Sequence, residues 1–363
     1  MLRSLNKMNE LERMAGSVIV CGFAGTEAPA AIHDWLGEQA VAGLILFKRN
    51  IDDLEQAMAL IASCVERADP ANPLLVSVDQ EGGRVARFGE PVLQLPAMRK
   101  LANAGDAGLT RQTAEVLGRQ LRAIGVNLNF APVLDVDTNP NNPVIGDRAF
   151  GRTPGAVIEH ALAFAAGLHD GGVLSCGKHF PGHGDTDLDS HFALPTLRHD
   201  RGRLEEVELP PFAAAVGEIP SLMTAHVLFE AVDAEVPATM SRAAITELLR
   251  GDMGYEGAVF SDDLEMKAIS DRYSIEEAGV RAIEAGCDLL LVCSDLDAAA
   301  RLREALAVEA ERSTPFFARL AEAKARADAL RQGVVKLPPA VPLEIALHSA
   351  EAQSVRARLQ QLE

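Results

Sequence analysis

Aromatic side chains are scarce in this chain: one Trp and two Tyr stand beside 13 Phe in 363 residues. So few indoles and phenols argue against a long, ring-stacked groove of the kind that holds polysaccharides. Basic residues are also in deficit, with 34 Lys plus Arg against 52 Asp plus Glu and a formal net charge of −18. That balance argues against polyanionic partners, nucleic acid above all. Cysteine is limited to Cys21, Cys64, Cys176, Cys287 and Cys293, an odd number with no C-x-x-C pair, so neither a disulfide framework nor a zinc ribbon is expected. Four of the five sit in apolar runs, where Cys packs as a small hydrophobe, and a reducing compartment fits. No apolar run approaches the roughly 18 residues of a membrane span. Residues 1–16 are mixed and polar, so no signal peptide is read and a cytoplasmic location is expected.

Hydrophobic residues make up 48% of the chain, enough for a large core. They fall into eight short runs, at 17–23, 43–47, 74–79, 126–134, 173–177, 221–227, 257–261 and 287–293. Each is nearly continuous rather than alternating, as in parallel strands buried on both faces. Between them lie amphipathic segments at 52–66, 106–124, 156–169, 204–217, 241–250 and 274–285. Asp52 or Asp53 is positioned as the N-cap of the first. Eightfold strand–helix alternation predicts a (β/α)8 TIM barrel, an α/β fold of one domain. The alternative is an open doubly wound sheet, weakened because no G-x-G-x-x-G follows the first run. Residues 1–297 are read as the barrel. Residues 298–363 are read as a helical C-terminal segment packed on it, with helices at 298–311, 314–332 and 343–362 and a Pro-containing break at 338–342.

Barrels of this kind place chemistry on the loops that follow the strands. Polar residues collect there. Asp79-Gln80-Glu81-Gly82-Gly83-Arg84 and Arg87 follow the third run; Asp135, Asp137 and Asp147-Arg148 follow the fourth. The fifth leads into a loop at 178–191 with a lysine, three histidines and several aspartates. His226 follows the sixth, and Ser261-Asp262-Asp263-Leu264-Glu265-Met266 the seventh. If the barrel closes, these converge on one polar pocket. His179 and His183 have the i, i+4 spacing of a helical zinc pair, but Pro181 and Gly182 between them oppose a helix. A calcium loop over 185–196 fails at its sixth and twelfth positions, which are Ser190 and Thr196. Asp189 and His191 suit a carboxylate–imidazole dyad with a proton to exchange near neutral pH, or equally a loop histidine pinned for structure. Asp262, at the end of a strand, suits a nucleophile or a helix N-cap.

The segments VDQEGGRVAR (78–87), APVLDV (131–136), IGDRAFG (145–151), KHFPGHGDTDLDSH (178–191) and FSDDLEM (260–266) resemble glycoside hydrolase family 3. More narrowly, they resemble its bacterial β-N-acetylhexosaminidases of the NagZ type. The match is collinear over most of 17–295. The resemblance implies Asp262 as nucleophile, His191 as acid/base residue and Asp189 as its partner. It implies Asp79, Arg87, Arg148, Lys178 and His179 as sugar-binding residues. A retaining exo-β-N-acetylglucosaminidase follows, with a glycosyl-enzyme ester on Asp262 and His191 passing the proton. No metal and no cofactor are expected. The Gly-rich segment around Gly182 and Gly184 is expected to move between steps.

The resemblance further implies a small-molecule substrate: a GlcNAc-containing muropeptide, such as GlcNAc-anhydroMurNAc and its peptides, or a chitobiose-like glycoside. Peptidoglycan recycling in the cytoplasm would be the setting. Neither nucleic acid nor membrane is expected as a partner, and the chain is expected to be a monomer. Three rivals stand beside this reading: a phosphorylase of the same family, a β-glucosidase of the same fold, and a non-catalytic sugar-binding protein.

Overall fold

The computed structural model describes residues 8–190 and 192–362. Each of the eight apolar runs contributes a strand: β1 (Ile19–Cys21), β2 (Gly43–Leu46), β3 (Leu75–Val78), β4 (Leu128–Asn129), β5 (Leu174–Phe180), β6 (Ser221–Thr224), β7 (Ala258–Asp263) and β8 (Leu289–Val292). Every strand pairs in parallel with the next, and β8 pairs with β1, so the sheet closes into a barrel. The TIM-barrel expectation holds. The reason for the continuous runs is visible in the packing. Along β8, Leu289 and Leu291 point into the barrel interior, while Leu290 and Val292 pack into the layer between strands and helices. Both faces are therefore buried, and no alternation with polar residues is needed. Phe130 and Phe260 meet edge-on inside the barrel at 5.3 Å.

The helices begin where the sequence supplies caps. Asp53 accepts from Gln56 N at 2.8 Å at the start of Leu54–Val65, and Asp106 from Leu109 N at 2.9 Å at the start of Ala107–Ile124. The latter helix stops at Gly125, whose positive φ the missing side chain permits. Two expected helices differ in winding. The 204–217 segment opens with a π-helical turn at Leu204–Glu208, and the 241–250 segment is π-helical over Ala243–Asp252. Hydrophobic periodicity is too coarse to distinguish such wide turns from an α-helix.

The C-terminal part is helical at Leu296–Arg312, Thr314–Lys336, Leu343–His348 and Ala350–Gln360. The first of these follows β8 directly and supplies the barrel's last strand–helix alternation; the expected boundary at 297 falls within its first turn. The second helix lies across the bottom of the barrel. Ala327, Leu330 and Val334 join the interior cluster of Leu75, Leu128 and Leu289. The expected single helix at 343–362 is instead two, because Ser349 caps the second by accepting from Ala352 N at 3.2 Å.

Candidate active site

The polar residues that follow the strands meet at the opposite end of the barrel. They enclose a pocket of about 190 Å³ lined by Asp79, Glu81, Arg87, Arg148, Lys178, His179, His183, Ser190, Asp262 and Asp263, with Phe47, Phe130 and Met266 among its apolar walls. That volume is below the roughly 300–1,000 Å³ of sites for drug-sized ligands and suits a single small ring.

The pocket is organised around Lys178. β5 is longer than the sequence suggested and runs through Phe180, so Lys178 and His179 are strand residues and not part of a loop. The reason is hydrogen bonding from both sides: Lys178 N donates to Pro132 O at 3.1 Å, and Phe180 O accepts from Ala225 N at 2.7 Å. The Lys178–His179 peptide is cis, and both side chains line the pocket. Lys178 Nζ lies 2.8 Å from Asp79 Oδ1 and 2.6 Å from Glu81 Oε1. Arg87 takes the other oxygen of Asp79 at 2.9 Å. Arg148 grips Glu81 with two parallel bonds of 2.8 Å, from Nε and Nη2. Such a fork fixes the guanidinium plane as well as its position. Burial alone would raise the carboxyls of Asp79 and Glu81, but the neighbouring cations outweigh it and hold both below the ordinary carboxylate range. Burial opposes the charge of Lys178 too, and the two carboxylates hold its ammonium above the usual lysine range.

The turn after β3 is set from the next strand. Asn129 exchanges two 2.9 Å hydrogen bonds with the backbone of Gln80, and the Gln80 side chain accepts from Arg87 N at 2.7 Å and Phe88 N at 3.0 Å. Arg87 also lies over the Phe47 ring, 5.2 Å from its centre.

The paired aspartates at the end of β7 divide their work. Asp263 Oδ1 accepts from Glu265 N at 3.1 Å and Cys293 N at 3.3 Å, which ties down the turn. Asp262 accepts from the Asp263 amide at 2.8 Å. The following short helix, Lys267–Ser270, takes no side-chain cap from either, so the N-cap alternative for Asp262 does not apply. Burial would raise Asp262, but His226, His179 and the Asp263 amide outweigh it, and its carboxyl is held below the usual range. Asp263 differs: burial, with Glu265 and Asp262 nearby, pushes it up to about 7. Two adjacent carboxyls are therefore shifted in opposite directions.

The segment after β5 is fastened at its root. His183 Nδ1 and Nε2 meet Thr186 Oγ1 at 2.7 Å and Ser190 Oγ at 3.1 Å. Burial, with His179 beside it, lowers His183 to about 4, so the ring is neutral. Gly184 approaches the 131–136 segment so closely that a Cβ would lie 1.9 Å from Val136 O. This glycine serves a close approach, and Gly182, at φ +133°, a backbone turn. His179 sits on a strand and His183 beyond a turn, so the helical zinc pair does not form. Among the described residues no group of three or more His, Cys, Asp or Glu side chains is placed to hold an ion.

Of the residues expected from the sequence, Asp79, Arg87, Arg148, Lys178, His179 and Asp262 share this pocket. Asp189 does not line it, although its neighbour Ser190 does; its carbonyl accepts from Phe192 N at 2.9 Å and Ala193 N at 3.0 Å. His191 lies outside the described residues. The sequence placed Glu81, Asp135 and Asp263 among the polar residues after the strands and offered His183 only as half of a zinc pair, so none of the four was assigned a part in the sugar site. All four fall inside the same motif segments, so the signal was present, but their partners are remote in sequence. All five cysteines are buried and free.

With this geometry in view, the profile of the glycosyl hydrolase family 3 N-terminal domain matches residues 6–321. The chain belongs to that family. It is therefore a glycoside hydrolase. A beta-hexosaminidase of Alkalilimnicola ehrlichii is 42% identical over 287 residues, covering 77% of this chain and 81% of the relative. Among solved structures, a glycoside hydrolase family 3 beta-N-acetylglucosaminidase from Paenibacillus sp. superposes with a TM-score of 0.91 at 40% identity, covering 98% of this chain and 69% of that one. NagZ from Neisseria gonorrhoeae, in complex with N-trifluoroacetyl-D-glucosamine, superposes with a TM-score of 0.81 at 33% identity, covering 96% and 98%. No helix among the described residues is long and apolar enough to cross a membrane.

Proposed function

We propose that this glycoside hydrolase is a retaining exo-β-N-acetylglucosaminidase. It removes terminal β-linked GlcNAc from peptidoglycan-derived fragments such as GlcNAc-anhydroMurNAc and its peptides, in the cytoplasm. The observation that carries this reading is Asp262: a carboxylate held ionised at the end of β7, in a one-ring pocket shared with Asp79, Arg87, Arg148, Lys178 and His179. The names of the relatives supply the sugar, since they are hexosaminidases and a beta-N-acetylglucosaminidase, and one neighbour was solved with an N-acylated glucosamine.

In this mechanism Asp262 attacks the anomeric carbon and the bond to the leaving oxygen breaks, giving a glycosyl ester. His191 donates its proton to that oxygen and then takes one from the incoming water, and configuration is retained over the two displacements. Asp189 is assigned to hold and charge the imidazole. Asp79 accepts from sugar hydroxyls, Arg87 and Lys178 donate to them, and His179 meets them through its pocket-facing nitrogen; Arg148, already clamped by Glu81, offers its remaining N–H groups. At about 190 Å³ the pocket has room for one ring, which favours exo action. Residues 298–363 are assigned to structural support of the barrel, and the protein to the monomeric state.

Incubation with a 2-fluoro or 5-fluoro sugar inactivator, followed by peptide mass spectrometry, tests the assignment. Mass added to Asp262 is expected; mass on any other residue overturns it. Running the reaction with added inorganic phosphate separates hydrolysis from phosphorolysis, because a sugar phosphate product would reassign the second step.

A further inference from the structure

Asp135 follows β4 and is 0% exposed. It is absent from the pocket lining, yet three donors from the 179–183 segment converge on it. His179 Nδ1 lies 2.7 Å from Oδ2, and Oδ1 accepts from the amides of His183 at 2.6 Å and His179 at 3.3 Å. A buried carboxylate is tolerated only when its lone pairs are met in this way. Burial opposes its charge, but His179 and the His183 amide outweigh it and keep Asp135 below the ordinary carboxylate range. An ionised carboxylate can only accept, so His179 Nδ1 must carry a proton. The opposite nitrogen, Nε2, is then left for the pocket that His179 lines.

We infer that Asp135 is a positioning residue for hydrolysis: it holds His179 as the Nδ1–H tautomer and pins the root of the segment that carries Asp189 and Ser190. This rests on the reading in which His179 contacts the sugar. The physics is that of a carboxylate behind an imidazole, which sets ring orientation and tautomer without touching the reacting atoms. An asparagine could not replace it. With its NH2 turned to His179, the ring proton must move to Nε2, and a hydrogen-bond acceptor facing the pocket becomes a donor. With its NH2 turned the other way, it opposes the His183 amide, and the segment loses its anchor.

The wild-type protein decides the first half. In long-range 1H–15N spectra of histidine-labelled enzyme, assigned by loss of one signal in His179→Gln, His179 should be protonated at Nδ1 and bare at Nε2 in the absence of substrate. The reverse tautomer overturns the inference whether or not any Asp135 variant folds. Whether Asp135 acts on rate through His179 needs a mutant cycle on a nitrophenyl GlcNAc substrate, with thermal melting to confirm folding; Asn can keep its oxygen on the His183 amide, so the anchor is preserved in the cycle. Asp135→Asn should lower kcat/KM by roughly 10- to 100-fold. The double variant should be no worse than His179→Gln alone, within about threefold. Losses that multiply would show that Asp135 does not act through His179. His179→Gln with full kcat/KM would instead remove the sugar-contact reading beneath this inference.

Discussion

The barrel buries an ionic cluster at each end, and the two are built differently. At the mouth, Asp79 and Glu81 meet Lys178, Arg87 and Arg148 around a cavity. At the base, Asp288 is 0% exposed and meets Arg250 at 2.5 Å and Arg319 at 2.6 Å. The remaining valence of the basal cluster is spent on backbone. Arg250 Nη1 donates to Tyr255 O and Gly257 O at 3.2 Å each, Arg319 Nη2 donates to Cys287 O at 2.8 Å, and Val259 N donates to Asp288 at 3.0 Å. The Thr314–Lys336 helix closes over it, with Arg331 reaching Asn72 O at 2.6 Å and Pro73 O at 2.9 Å. Both clusters incur the cost of desolvating charge. Buried charge is therefore not by itself a mark of function. What separates the two ends is whether ionised groups face empty space or close on one another.

If that contrast is right, mutations at the mouth change rate and mutations at the base change stability. The largest effect is expected for Asp262→Asn, which removes the proposed nucleophile. The kcat on a GlcNAc glycoside should fall by about 10⁴-fold or more, with the melting temperature little changed. Asp288→Asn should do the reverse. Breaking a buried pair from one side costs about 3–5 kcal/mol, read from urea or thermal unfolding, while kcat/KM of the folded fraction stays at the wild-type value. A loss of rate at Asp288, or of stability alone at Asp262, would erase the distinction.

Glu81→Gln sharpens the comparison, because Glu81 belongs to the mouth yet resembles the basal ions in its saturation. Losing charge-assisted bonds to Arg148 and Lys178 should cost about 1.5–3 kcal/mol, seen as a 10- to 100-fold drop in kcat/KM. The smallest effect concerns pH. Asp263 is raised to about 7 from an ordinary 3.8, so the folded state holds its proton more tightly than the unfolded chain. Its contribution to stability is complete below the unfolded value and is lost as pH rises towards 7. Asp263→Asn should therefore gain stability over wild type between about pH 5 and pH 8, by on the order of 1 kcal/mol, in melting curves. No gain would return Asp263 to ordinary carboxylate behaviour.

Residues at the two ends were not equally legible. The mouth announced itself, since D-Q-E-G-G-R, K-H-F-P-G-H-G and S-D-D-L each place charged residues directly after an apolar run. Asp288 follows no such pattern. It is one charge inside the last run, and its partners Arg250 and Arg319 lie 38 and 31 residues away. The pairing of Glu81 with Arg148 spans 67 residues, and that of Asp135 with His179 spans 44. No local pattern can encode which of several cations a carboxylate meets at that range.

The amino-acid order alone determined eight strands, their burial on both faces and the gathering of polar groups at their ends. Those features follow from residue-by-residue hydrophobicity and chain direction, which act locally. Closure of the barrel decided the rest: which carboxylates become paired and ionised, which of two adjacent aspartates is pushed towards neutrality, and which helix seals the base. Those outcomes depend on distances of a few ångströms between residues far apart in the chain, and on the solvent excluded from between them.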